Sequence, residues 1–210
     1  MKGFVVKPTT RLMVSLLSLL AISLGDGGCA GKAGGITLTS LRTHQSYIQG
    51  FSDAYISKTI HGDLDILLID DAAAQALAGY TPASPVRQIM HLRVLWQPDR
   101  DLKVTDAAAS NASIHWYVIN GQAGAMEYTG TAFVTTSTFS GLTRVVVENA
   151  QVHPLCNCPG LTDPVGPSKV DGAVFAQVNP EAVAALLAQV RTSVAAASGR
   201  STPSVEPHVQ

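Results

Sequence analysis

Two groups of residues in this chain have the types and spacing to do chemistry. The first is Cys156-Asn157-Cys158 with His153 just before it. Thiolates and an imidazole are soft ligands suited to zinc or copper. A single residue between the thiols is tighter than zinc sites favour, and no fourth ligand lies nearby in sequence. In an oxidising compartment the same pair could close a strained disulfide that is easily reduced. Disulfide, free thiols, and a metal or redox role all remain open for Cys156, Cys158 and His153. The second group is His91 and Arg93 on one apolar-alternating stretch, with His115 and Tyr117 on another. Two strands paired in register would merge these four into a polar patch able to bind an anion or assist proton transfer. A solvated sheet face explains them with fewer assumptions. No carboxylate in either stretch completes a nucleophilic or acid–base set.

The elements that carry these residues read mostly as strands. In residues 86–97, Val86, Met90, Leu92, Val94 and Trp96 alternate with Arg87, His91, Arg93 and Gln97, and Gln88 is the odd polar residue on the apolar side. Such alternation marks a strand with one buried face, typical of antiparallel sheets. Residues 113–119 repeat it, with Ile114, Trp116 and Val118 on one face, and the next pair, Asn120-Gly121, is a strong turn signal. Both tryptophans sit on apolar faces, which points to core packing rather than ligand stacking. Residues 47–58 and 64–69 form a hairpin across Gly62. Asp70 or Asp71 caps a short Ala-rich helical turn that stops at Gly79. Residues 127–136 and 143–152 pair across a loop holding Gly141. Val152 is out of phase with Val145 and Val147, which predicts a bulge near Asn149-Ala150. Residues 153–168, with four prolines and two glycines, read as a loop. After a strand over 172–178, Asn179-Pro180-Glu181 starts a helix. Its stripe of Val183, Leu186, Leu187, Val190 and Val194 should pack on a sheet face.

Composition narrows the function classes. Hydrophobic residues are 46% and charged ones 14%, enough for a buried core. A net charge of −1 leaves no basic surplus for phosphate backbones, so nucleic acid is not an expected partner. There is no Gly-x-Ser-x-Gly elbow, no P-loop and no His-Glu-x-x-His. Asn111-Ala112-Ser113 matches a glycosylation acceptor, a pattern common by chance.

The N-terminus sets the compartment. Lys2, Lys7 and Arg11 precede an apolar run over residues 12–24, followed by Gly25-Asp26-Gly27-Gly28-Cys29. A charged start, a short apolar core and a small-residue zone form a secretory signal. Gly28-Cys29 after that run resembles the cleavage box of bacterial lipoproteins. The resemblance implies cleavage after Gly28, lipid on Cys29, and a membrane anchor facing the periplasm or the exterior. Asp26 departs from that box, which prefers an aliphatic there, and plain cleavage near Ala30 or Ala33 is the competing route.

These readings set the expectations. Residues 1–28 are a signal peptide, 29–35 a lipid-bearing Cys29 and flexible tether, 36–197 one β-rich domain, and 198–210 a disordered tail. The fold class is mainly β (α+β): an antiparallel β-sandwich or partly open barrel of about seven or eight strands with one C-terminal amphipathic helix packed on it. A single curved sheet wrapped on the helix is the second choice. The expected function is a lipid-anchored envelope protein acting as a non-enzymatic binding or assembly module. Its partners would be the membrane, through the lipid, and an envelope protein or cell-wall component. No catalytic residue and no resident cofactor are expected. The alternative is a metal- or thiol-dependent enzyme, with zinc or copper, at the His153–Cys156–Cys158 loop.

Overall fold

The alternating stretches become nine strands and two helices in the computed structural model: β1 (Gly34–Ser40), β2 (Ser46–Phe51), β3 (Asp53–Lys58), β4 (Leu64–Ile69), α1 (Asp71–Leu77), β5 (Val86–Val94), β6 (Ala112–Asn120), β7 (Gly124–Phe139), β8 (Leu142–Pro154), β9 (Ser168–Val178) and α2 (Pro180–Ala197). The structure describes residues 34–80, 86–98, 109–120, 124–155, 163 and 165–197. Cys29, Cys156 and Cys158 lie outside these, as do residues 1–33 and the tail from 198. All described residues belong to one compact unit, Gly31–Gln210.

Strands β3 to β8 follow one another as antiparallel neighbours. The ring is closed by β9, which pairs antiparallel with β8 along most of its length and parallel with β3 at Tyr55↔Gln177 and Ile56↔Val178. The result is a closed seven-stranded mixed barrel. The β1–β2 hairpin adds to the sheet through β1, which lies antiparallel to β9. The expectation of a mainly β protein with a helix packed on it therefore holds, while the sandwich or open barrel is corrected to a closed one. Closure pairs both edges of β4 to β8, while β2, which pairs only with β1, keeps an open edge.

Residues 47–58 are not one strand. The chain bends at Ser52, so β2 pairs with β1 while β3 turns into the barrel beside β4. Gly34 and Gly35, expected in the tether, already belong to β1. His153, expected in the loop, is the penultimate residue of β8.

Apolar side chains fill two layers. Inside the barrel, Ile66, Leu68, Met90, Leu92, Ile114, Val134, Val147 and Val174 are buried. Outside it, α2 lays Val183, Leu186 and Val190 over Leu67, Ile69 and Ile89. Strand β4 is thus covered on both faces, the physical reason for its nearly unbroken apolar run. Each such side chain contributes roughly 1.5–3 kcal/mol by burial.

Local signals are realised at several places. The Asp70 carboxylate accepts the backbone N–H of Ala73 and that of Gln88, both at 2.8 Å, capping α1 and tying it to β5. Asn179 caps α2 by accepting from the Ala182 N–H at 3.0 Å. Asn149, at φ +52°, marks the bulge in β8, and the skipped register brings Val145, Val147, Ala150 and Val152 all inward. Gln88 faces the apolar interior because its side-chain oxygen accepts the indole N–H of Trp116 at 3.2 Å. Trp116 stacks on Tyr128 with ring centres 4.6 Å apart. Trp96 does not share that core. Strand β5 ends at Val94, and Trp96 sits half-exposed and edge-on to Phe133.

Candidate functional site: a polar cleft beneath the terminal helix

Pairing of β5 with β6 places His91 directly opposite His115 and Arg93 opposite Ser113. Tyr117 follows two residues after His115, on the same outward face. The four residues expected to form a polar patch therefore meet. The imidazole centres of His91 and His115 are 6.4 Å apart, and the His115 ring stacks on Tyr117 at 6.2 Å. The middle of α2 roofs them with Leu187, Val190 and Arg191. Together with Asp65 and Ser113 these residues line a cleft of about 340 Å³.

The carboxylates absent from β5 and β6 come from the flanking strands. Asp65 on β4 lies 2.8 Å from His91 Nε2, and Glu127 on β7 lies 2.8 Å from His115 Nδ1. Asp63, in the turn before β4, accepts two bonds from the Arg93 guanidinium, at 2.9 and 3.3 Å. The wall is thus two imidazole–carboxylate pairs side by side, with an arginine at one margin.

Burial lowers the His91 pKa more than its bond to Asp65 raises it, while the charges of His115 and Arg93 also push it down. His91 is therefore a neutral imidazole. Its bond to a carboxylate assigns the proton to Nε2 and leaves Nδ1 as an acceptor. Burial, then the charge of Glu127 and a hydrogen bond to it, push Tyr117 up to about 12. Its hydroxyl stays protonated across the physiological range.

The lowered His91 pKa has a consequence for stability. Below about pH 6.5 the unfolded chain takes up a proton on this histidine that the folded protein refuses. Stability should fall as pH drops through that window towards the folded pKa. His91→Gln keeps an N–H for Asp65 and cannot titrate. Its unfolding free energy, measured by urea denaturation between pH 7.5 and 5.5, should decline less steeply than that of the parent. Parallel slopes would remove the argument.

His153 faces outward and is exposed on β8. The registers His115↔Thr129 and Thr129↔His153 put it in the same cross-strand row as the histidine pair, two strands further round. It does not line the cleft. Its expected companions Cys156 and Cys158 lie outside the described residues. Among the described residues no group of three or more His, Cys, Asp or Glu side chains is placed to hold a metal ion.

Asp65, Glu127, Ser113 and Arg191 were not singled out by the sequence. The usable signal was strand register. Asp65 falls opposite Arg93 and Glu127 opposite Tyr117 only once the hairpin pairings are known. No family model matches this chain, and neither a curated protein nor a solved structure matches it.

Proposed function

We propose that this chain is an exported envelope protein, anchored through a lipid on Cys29. In this reading the barrel is a non-enzymatic binding module whose ligand site is the cleft beneath α2. The observation that carries the reading is the convergence of His91, His115, Arg93, Ser113 and Tyr117 under Arg191. Export and anchoring rest on the N-terminal pattern alone.

The lining indicates the ligand. Arg191 is exposed and, among the described residues, makes no ion pair. Arg93, although bonded to Asp63, is half-exposed. The Ser113 and Tyr117 hydroxyls and the His115 ring add polar groups, and Leu187 and Val190 add an apolar wall. Such a cleft suits a small anion with a short apolar body, such as a monocarboxylate, and its volume is at the lower end of ligand sites. Binding fits better than catalysis because Ser113 has no hydrogen bond to either imidazole among the described residues.

The test is an NMR titration of the full chain with hexanoate, succinate and inorganic phosphate. Hexanoate should shift the signals of Ser113, His115, Tyr117 and Arg191. Arg191→Ala should weaken that binding by about tenfold, the loss expected when one charge-assisted hydrogen bond is removed. Shifts scattered elsewhere, or equal binding by Arg191→Ala, would overturn the assignment of the cleft.

A further inference from the structure

We infer that one mouth of the barrel is a membrane-contact rim, seated on the bilayer to which Cys29 would be anchored. The inference rests on the anchored reading above and adds a second, independent contact with the lipid.

The observation is where the exposed apolar residues lie. Register brings several strand ends to one mouth. Lys58↔Leu64 and Leu64↔Val94 place the 59–63 turn and the end of β5 there. Phe139↔Leu142, Leu142↔Gln177 and Ile56↔Val178 bring the β7–β8 hairpin tip and the end of β9 to the same side. Around this mouth stand Ile60, Trp96, Phe139, Leu142, Phe175 and Val178, with Leu95 beside Trp96. These are seven of the eleven large apolar side chains exposed among the described residues. Ile60 is 96% exposed and Phe139 78%, although each extended strand could have ended in a polar turn. Isolated exposed apolar residues need no explanation, whereas a concentration at one end does.

The arrangement favours a lipid surface. The residues project from four separate strand ends around a ring, and include one tryptophan and two phenylalanines, types that settle at the headgroup boundary. Lys58 and Arg144 are exposed among them, placed to meet phosphate headgroups; Glu181, in the first turn of α2, is an acid on the same side. Strand β1 supplies the link to the anchor. It runs from Gly34, beside Val174, to Ser40, beside Ser168, so its N-terminal end is the one nearer Phe175 and Val178. From Cys29 to Gly34 the extended chain spans at most about 17 Å. A lipid on Cys29 would hold the barrel close to the membrane surface.

The chain holds two tryptophans, which makes the test direct. Trp96 stands on the rim, and Trp116 is buried inside the barrel. The full chain is reconstituted in phosphatidylethanolamine–phosphatidylglycerol vesicles with or without brominated acyl chains, and the mass of its mature N-terminus is determined in parallel. Brominated lipid should quench roughly a third to a half of the emission, since an interfacial group lies about 5–10 Å into the headgroup–acyl boundary. Trp96→Phe should abolish the quenching. Phe139→Ser with Phe175→Ser, both at exposed positions, should reduce it at least about twofold by weakening insertion. Acylated Cys29 with unquenched Trp96 overturns the rim and leaves the anchor standing. Quenched Trp96 on a chain without acylation supports the rim and overturns the anchor. Neither signal overturns both.

Discussion

Asn111→Asp is expected to leave the protein largely unfolded at ordinary temperature, and Asn111→Ala to cost about 3 kcal/mol. Asn111 is buried at the entrance to β6, and both its amide hydrogens and its amide oxygen are bonded to other segments. Its Nδ2 donates to the Trp96 carbonyl at 2.9 Å and to the Val134 carbonyl at 2.8 Å, and its Oδ1 accepts the Val134 N–H at 2.7 Å. One side chain thus ties the end of β5 to the middle of β7 across the start of β6. Alanine orphans the buried Val134 N–H and carbonyl and frees the part-buried Trp96 carbonyl. Aspartate is worse, because it turns a carboxylate oxygen on two carbonyl oxygens where a donor had been. The same geometry disposes of Asn111-Ala112-Ser113 as a glycan acceptor, since both amide hydrogens are already used inside the fold. Urea denaturation at pH 7 checks the ranking. An Asn111→Asp protein within about 1 kcal/mol of the parent, at equal denaturant sensitivity, would show that these bonds are not formed.

How far the sequence could be read depended on the range of the interaction. Caps, bulge and helix stripe were legible because each is set within a few residues. Asp70 lies three residues before its Ala73 partner, and the bulge at Asn149 follows from the phase slip between Val147 and Val152. The histidine patch was legible because β5 and β6 are neighbours with clear alternation. Its carboxylates were not, because their placement depends on turn length. A two-residue turn centred on Asn120-Gly121 would oppose Ile119 to Gln122 and send Glu127 out of line with Tyr117. The chain instead pairs Asn120 with Gly124 and Tyr117 with Glu127. A slip of one residue flips a whole strand face. Barrel closure was the least legible feature. It rests on two parallel pairs between β3 and β9, more than a hundred residues apart, and no local pattern announces them. The bond from the Tyr128 hydroxyl to Asp163, at 2.6 Å and 35 residues along the chain, is as little announced by any local pattern.

Gly130→Ala is expected to lower stability by about 3 kcal/mol or more, from overpacking against atoms that cannot move aside. In a domain of this size that is a fall of roughly 6–12 °C in the melting temperature. Gly130 lies on the inward face of β7, opposite Val152 and next to the point where the register with β8 shifts. A Cβ built there would sit 1.7 Å from the Gln151 carbonyl oxygen and 2.8 Å from its carbon. Both are backbone atoms of the neighbouring strand, so no rotamer change can relieve the clash. The strands must separate beside the register shift between Thr131 and Phe133. Gly50→Ala in β2 is the matched control, because a Cβ at that position meets nothing within 4 Å. It should stay within about 0.5 kcal/mol of the parent, as surface substitutions do. Thermal unfolding of the two variants side by side separates close approach from a general intolerance of side chains in glycine positions. Equal, small effects would mean that β7 and β8 do not approach as described. The same wall carries Glu127 three residues before Gly130, so the variant also bears on the cleft. Loss of the β7–β8 approach should loosen the His115–Glu127 pair and, because α2 rests on β7 as well as on β3 and β4, the α2 roof with it.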